Sequence, residues 1–148
     1  MAGGIGSRTE RGRRRVGHRT PNSIGYVELI YAIQHELSFG AVRNRAGHFV
    51  RANLENVTAA ALSVSTAGAT LDFRVSITDA PGKNAYPIAT FTWLLLPANK
   101  GDPQTRTARY DLLRWMPTSG QKQCAGLGYA PLPPRVSNEE LRILETLK

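Results

Sequence analysis

The residues that could perform chemistry in this chain are few and widely spaced. There are three histidines, His18, His35 and His48, and a single cysteine, Cys124. A metal site needs His, Cys or acidic ligands at short spacings or on facing elements, and no spacing among these four residues predicts one. We therefore expect the histidines to be solvated surface residues and Cys124 to be a small buried hydrophobe.

Sequence motifs of well-known reactions are absent. The chain contains no GxxxxGK[ST], HExxH or GxSxG motif and no pair of CxxC motifs. Glu139 and Glu140 are adjacent, but at the start of a predicted helix they are better explained as charges that complement the helix dipole than as an acid/base pair. Residue types and spacing therefore predict no enzyme, and we expect no cofactor and no metal.

Positive charge is concentrated at the N-terminus. The formal net charge is +8, and residues 1–20 hold six arginines against one glutamate. This Arg/Gly-rich stretch has neither helical nor strand periodicity, so we predict a disordered basic tail over residues 1–20. Arginines can contact nucleic-acid phosphates, but no aromatic residue is interleaved with them. We expect no nucleic-acid partner, and a nucleic-acid binder acting through this tail is the least favoured alternative.

The elements that would position any site are organised around the stretch DAPGKNAYPIATFTWLLLP at 79–97. Asp79–Gly82 predicts a turn, because Pro sets φ and Gly supplies a positive φ. Ile88–Leu96 is rich in β-branched and aromatic residues and ends continuously apolar, which predicts a strand that finishes buried on both faces. A buried helix over Phe91–Leu96 stays open as an alternative, although the flanking prolines suit the ends of a strand.

Apolar periodicity before this stretch predicts a mixture of helices and strands. The predicted elements are a strand Ser23–Glu28, a helix Glu28–Leu37, a hairpin of Phe39–Val42 and His48–Arg51 around an Arg43–Gly47 loop, a helix Leu54–Ser65 capped by Asn53, and a strand Leu71–Thr78.

Helices dominate the predictions after it. Asp102 and Pro103 predict an N-cap and first helical residue. The predicted elements are a helix with Ala108, Leu112, Trp115 and Met116 on its apolar face, ended by Pro117; a separate turn over Thr118–Ala125; a rigid loop Gly126–Pro134; and a last helix, opened by a Ser137–Glu140 capping box, with Leu141, Leu144 and Leu147 on its apolar stripe. The overall pattern indicates an α/β or α+β class.

Targeting signals are not apparent. The first residues lack the apolar core of a signal peptide, and no apolar run approaches the ~18 residues that predict a membrane span. We expect no membrane span, and a cytoplasmic location if the chain is made as written.

Three blocks resemble a known family. They are TPNSIGYVELIYAIQHELSFGAVRNRAGHFV (Thr20–Val50), DFRVSITDAPGKNAYPIATFTWLLLP (Asp72–Pro97) and GQKQCAGLGYAPLP (Gly120–Pro133). Together they resemble the C-terminal half of PstS, the phosphate-binding protein of the bacterial phosphate ABC importer.

The resemblance implies a partial type II periplasmic-binding-protein fold of the α/β class, containing the C-terminal portions of both lobes. Residues 21–85 would belong to lobe II and residues 86–148 to lobe I, with Tyr86–Pro97 crossing between the lobes. It also implies inorganic phosphate and ABC permease subunits as partners, a periplasmic or extracytoplasmic location and no enzymatic activity.

Two departures from the family limit what the resemblance implies. The family binds phosphate partly through an Arg followed by a Ser-Gly-Thr turn, which this sequence lacks, so no phosphate ligand is assigned to any residue. We therefore predict weak or no phosphate binding by this chain alone. In addition, Arg8–Arg19 replaces a Gly/Asn-rich family segment, and we hypothesise that its codons are read out of frame. Translation of the parent DNA in the other two frames tests this hypothesis.

A small stand-alone interaction domain that reuses this half-fold is the alternative to a fragment. If layers of the fold are missing, apolar surface should be exposed on Ile88–Leu96 and around Leu112 and Trp115. Such surface favours self-association.

Overall fold

A computed structural model describes residues 21–65, 75–96 and 102–146, and the chain divides into two compact units, Met1–Gly40 and Ala41–Lys148. The elements in chain order are α1 (Leu29–Gln34), β1 (Ala41–Arg43), β2 (Phe49–Arg51), α2 (Leu54–Ser65), α3 (Pro103–Trp115), α4 (Gln121–Cys124), a 3-10 turn (Ala125–Leu127) and α5 (Pro134–Glu145). The predicted mixture of helices and strands is confirmed. The predicted tail over residues 1–20 lies outside the described residues, and the predicted lobe boundary at residues 85/86 stays a prediction.

Helix α1 confirms the predicted helix near Glu28–Leu37 but is shorter. Glu36 has a left-handed backbone, with φ of 51°. This conformation lets the Leu37 N–H donate to the Ala32 carbonyl at 2.9 Å and the Glu36 N–H to the Ile33 carbonyl at 3.2 Å. Those two bonds satisfy carbonyls at the helix end and stop the helix there.

The predicted strand Ser23–Glu28 is wrong. Residues 23–28 have no regular secondary structure. An isolated strand is stabilised by burial of one face and by ladder bonds. Its predicted apolar face is not buried here, because Ile24 is 99% exposed and Tyr26 is 77% exposed.

The predicted hairpin is confirmed with shorter strands. β1 and β2 pair antiparallel, with Val42 opposite Val50 and Arg43 opposite Phe49. The Gly47 N–H donates to the Asn44 carbonyl at 2.9 Å and closes the turn, and Gly47 has φ of 84°, a conformation that glycine adopts without steric cost. Val50 is buried, so one face of the hairpin packs inward.

Helix α2 matches its predicted bounds, Leu54–Ser65. The Asn53 side chain accepts the Asn56 N–H at 2.7 Å, as expected for an N-cap. Helix α2 and the loop that follows it form a small core of buried residues, and Val57 and Phe91 pack against this core. The buried members are Ala60, Ala61, Ile77, Ala80, Ala85 and Ala89.

The predicted strand Ile88–Leu96 is wrong, and the alternative helix over Phe91–Leu96 is absent as well. Just before this segment, the Pro87 carbonyl accepts a backbone hydrogen bond from the Asp79 N–H at 2.8 Å. No described strand lies beside the segment to continue a ladder. Leu94 and Leu95 are 57% and 93% exposed, so burial of these side chains does not stabilise a strand here.

The strand predicted at Leu71–Thr78 falls partly outside the described residues. Residues 71–74 are not described, and Val75–Thr78 contain no strand. The turn predicted at Asp79–Gly82 is confirmed, with φ of 153° at Gly82. Asp79 itself also adopts a positive φ of 51°.

The start and end of α3 are confirmed, and the apolar residues predicted on one of its faces are exposed. Asp102 accepts the N–H groups of Gln104 and Thr105 at 3.1 and 3.0 Å, and the helix stops before Pro117. Leu112 and Trp115 are 55% and 48% exposed. The side of α3 with Tyr110 contacts α5 instead, and the Tyr110 hydroxyl donates to the Glu145 carboxylate at 2.7 Å. The exposure predicted for Leu112, Trp115 and Ile88–Leu96 is thereby confirmed.

The predicted turn over Thr118–Ala125 is confirmed as α4, which continues into the 3-10 turn. The predicted capping box at Ser137 is wrong. Helix α5 begins at Pro134, because proline is well suited to the first helical position and Pro133 is held extended before it. Ser137 is therefore inside the helix and buried, with Leu144 also buried as predicted, while Leu147 lies outside the described residues.

None of the described helices is long and apolar enough to cross a membrane.

Candidate functional site

Asn44 is the most extensively bonded buried polar residue of the described chain. It is 5% exposed, and its side-chain Nδ2 donates toward the carbonyls of Gly82, Lys83 and Ala85 at 3.1, 3.0 and 3.1 Å. An amide NH₂ has two hydrogens, so three carbonyls share two donors. The result is a bridge from the hairpin to a loop about 40 residues later in the chain.

The other atoms of Asn44 close the hairpin. Its Oδ1 accepts the His48 N–H at 3.0 Å, and its own N–H donates to the His48 carbonyl at 2.8 Å. Every polar group of Asn44 is therefore bonded, as expected of a buried amide. The arrangement fixes the loop Asn44–His48 and the loop Gly82–Ala85 against each other.

The second loop is also held by α2. The Tyr86 N–H donates to the Asn56 carbonyl at 3.0 Å, and Asn56 Nδ2 donates to the Arg51 carbonyl at 2.9 Å. A Cβ on Gly82 would lie 2.5 Å from the Ser63 Oγ, so only glycine allows the loop to approach α2 this closely. Burial raises the pKa of the Tyr86 hydroxyl.

Cationic side chains surround this junction. Arg43, Arg45 and Lys83 are exposed, and none of them forms an ion pair with a carboxylate in the described ranges. A guanidinium nitrogen of Arg43 lies 3.7 Å from where a Cβ on Gly47 would be, so this side chain folds over the hairpin loop. The junction offers charge for contacting anions, but it contains no nucleophile paired with a base.

The histidines predicted from sequence do not converge. His35 caps α1, where its Nδ1 lies 3.0 Å from the Tyr31 carbonyl and its ring stacks on Tyr31 with centroids 4.0 Å apart. His48 is exposed in the hairpin loop, and His18 lies outside the described residues. Within the described ranges, no three His, Cys, Asp or Glu side chains are grouped as a metal site would require.

Cys124 is half-buried and not fully buried as predicted. Its Sγ lies 3.8 Å from Gln121 Oε1, and the same oxygen accepts the Leu132 N–H at 2.7 Å. The interaction ties α4 to the loop that precedes α5. Cys124 therefore has a structural neighbourhood and no catalytic partner among the described residues.

The acidic pair on α5 has two different environments. A side-chain hydrogen bond from Arg142 lowers the pKa of Glu139, and the same pairing raises the pKa of Arg142. Burial raises the pKa of Glu140. Neither carboxyl lies in the first turn of α5, so their predicted role as dipole-complementing charges at the helix start is wrong.

Sequence reasoning placed Asn44 only in a hairpin loop and missed its bridging role. Asparagine is common in turns for local reasons, and nothing in the residues around it points to carbonyls at 82–85. The partners of the Asn44 side chain are set by tertiary structure, because they depend on where α2 and the loop after it pack.

Comparison with known proteins finds several relatives that carry the same name. A protein named phosphate-binding protein PstS from Xylella fastidiosa (strain Temecula1) is 38% identical over 134 residues, which cover 90% of this chain and 36% of that protein. The resemblance to PstS is confirmed.

Further PstS proteins match over similar spans. The one from Methanocaldococcus jannaschii is 37% identical over 87% of this chain, and the one from Pasteurella multocida is 32% identical over 77% of it. The chain spans about a third of the length of these PstS relatives, from 33% to 36%. No protein-family model matches the chain.

Proposed function

We propose that this chain is part of a phosphate-binding subunit of an ABC-type phosphate importer, which captures inorganic phosphate and delivers it to a membrane permease. The supporting observation is the identity to PstS proteins over 77–90% of the chain. The proposal includes a periplasmic or extracytoplasmic site of action and no enzymatic activity. It also includes a partial periplasmic-binding-protein fold, in which residues 21–85 and 86–148 belong to different lobes.

Phosphate binding by this chain alone is proposed to be weak or undetectable. A tight anion site holds desolvated donors, such as a buried arginine or backbone N–H groups at a helix N-terminus. The lysines and arginines of the described residues are exposed or half-buried. The exposed apolar run near Leu94 and Leu95 also suggests that further layers of the binding protein pack on it.

Isothermal titration of the chain with phosphate tests the first part of this proposal. We expect no saturable heat at micromolar phosphate. A dissociation constant below a micromolar would contradict weak binding, although it would agree with a phosphate-binding function.

A chimera tests the family role itself. The chain from Thr20 onward would replace the matching third of the Xylella fastidiosa PstS protein, and phosphate and sulfate would be titrated in parallel. We expect the chimera to bind phosphate and to ignore sulfate. A chimera that unfolds cooperatively yet binds neither anion would argue against a phosphate-binding role for this chain.

A further inference from the structure

We propose that the solvent side of the hairpin forms a docking surface for an anionic phospholipid membrane. We call this the basic hairpin surface, and it consists of Arg43, Arg45 and Phe49. The proposal goes beyond phosphate binding, because it concerns a surface contact that needs no bound phosphate.

The first argument is charge. From Leu37 to Leu54 the sequence contains three arginines and no acidic residue. Glu36 and Glu55 are the nearest carboxylates in sequence to the hairpin. Cations therefore predominate on the hairpin and its loop.

The second argument is an exposed aromatic side chain on the same face. Phe49 is 75% exposed and lies opposite Arg43 across the two strands. Side chains alternate between the faces of a strand, and Val50 is 6% exposed on the other face. Arg43 and Phe49 consequently share the solvent side of the hairpin.

This combination suits a lipid headgroup region. An aromatic ring can enter the boundary between headgroups and acyl chains while arginine and lysine reach the phosphates. Each basic residue near an anionic bilayer strengthens binding by roughly fivefold. The backbone that presents these side chains is fixed by Asn44, so little ordering is required on contact.

Other anionic partners fit less well. Free phosphate would use the cations but would leave Phe49 in water. Single-stranded nucleic acid is bound by successive aromatic rings along a groove, whereas β1, β2 and their loop hold Phe49 as their one phenylalanine, tyrosine or tryptophan. The lipid surface uses both the charge and the exposed ring.

Vesicle co-sedimentation of the full chain tests the proposal. The probes are phosphatidylcholine vesicles and vesicles in which part of the lipid is replaced by phosphatidylglycerol. We expect binding to the anionic vesicles that weakens with added salt. The double variant R43S/R45S should bind roughly 25-fold more weakly, and F49S should bind several-fold more weakly.

Matched controls lie outside the surface. R106S/R114S removes two exposed arginines from α3, and Y129S removes a tyrosine that is 51% exposed. Both should bind anionic vesicles like the unaltered chain, and unfolding curves would check that all variants remain folded.

Three outcomes would overturn the proposal. Equal loss in the control variants would show that total charge and not this surface matters. No loss in R43S/R45S would place any binding elsewhere, including the Arg-rich residues 1–20. Retention of a single-stranded RNA oligonucleotide without any vesicle binding, abolished by R43S/R45S, would assign the surface to nucleic acid instead.

Discussion

The side-chain Nδ2 of Asn44 lies 3.1 Å from the carbonyl oxygen of Ala85, a residue 41 positions later in the chain. Together with the bonds to Gly82 and Lys83, this contact joins the hairpin to the loop that covers α2. A one-residue slip of β1 would move the Asn44 side chain to the opposite face. The bridge therefore sets the register of the hairpin as well as its position.

Removing the Asn44 amide should destabilise the second unit. N44A leaves buried carbonyls without their donor, and we expect a loss of about 2–3 kcal/mol in the free energy of unfolding. N44D should cost more at neutral pH, because a carboxylate would face three carbonyl oxygens. Urea unfolding measures both variants.

The pH dependence of N44D provides a sharper test. Contact with carbonyl oxygens should raise the folded-state pKa of the introduced carboxyl above its unfolded value of about 3.9. Its destabilisation should therefore shrink as pH falls through the raised value. N84D, at an exposed position of the same loop, is the control. Equal unfolding curves for N44D and N84D would rule out a stabilising role for the bridge.

Glycine at position 36 should strengthen the end of α1. Glu36 has φ of 51°, a conformation that costs a residue with a Cβ about 1 kcal/mol. E36G should therefore slow hydrogen exchange of the Leu37 amide, which donates to Ala32, by up to about fivefold. E36A keeps the Cβ and should give no such protection. Faster exchange in E36G than in E36A would contradict this account of the helix end.

The exposed run that ends at Leu96 should promote self-association. Leu95 is 93% exposed, so replacing it with lysine removes apolar surface without disturbing a core. We expect L95K to sediment as smaller species than the unaltered chain at equal concentration. Its free energy of unfolding should change by no more than about 0.5 kcal/mol. L144K places a charge at a buried position of α5 and should instead lower the free energy of unfolding. Unchanged self-association in L95K would show that other surfaces are responsible.

The two glutamates of α5 should respond oppositely to pH. Burial raises the folded-state pKa of Glu140, so ionisation removes stability as pH rises through that value. E140Q should accordingly be more stable than the unaltered chain at pH 7, and this gain should vanish below about pH 4.3, the usual value for glutamate.

Glu139 supplies the matched control. Arg142 lowers the folded-state pKa of Glu139, so its contribution is present above the unfolded value and is lost as pH falls through the folded one. E139Q should be less stable than the unaltered chain at pH 7 and similar to it in acid. Thermal unfolding at several pH values would measure this. At pH 7 the unfolding temperature should rise in E140Q and fall in E139Q, and a change of the same sign in both variants would contradict the assigned environments.

The sequence predicts elements well where residues close in the chain stabilise them. Asn53 and the alanine-rich residues after it predicted α2 at its observed bounds, and Asp102 followed by Pro103 predicted the start of α3. In both cases a capping side chain and backbone propensity act within a few residues. The hairpin was predictable for the same reason, because Gly47 permits the closing turn.

Predictions failed where tertiary neighbours decide the outcome. The composition of Ile88–Leu96 favours a strand, but a strand needs an adjacent strand, and none lies beside it in the described chain. The polar start at Ser137 was outweighed by Pro134, which initiates α5 one turn earlier. Asn44 resembled any turn asparagine, since its partners become neighbours only after α2 and its loop have packed.

Among the described residues, the buried cluster around α2 consists mostly of alanine, and Ala60 and Ala85 are both fully shielded from solvent. Methyl groups allow two backbones to come nearly into contact, which leaves no spare volume for a longer side chain. Efforts to improve the thermal resistance of the second unit by enlarging its interior would push α2 and the loop apart. Engineering should instead address the periphery, where caps, turns and surface charge can be changed without forcing the backbone to move.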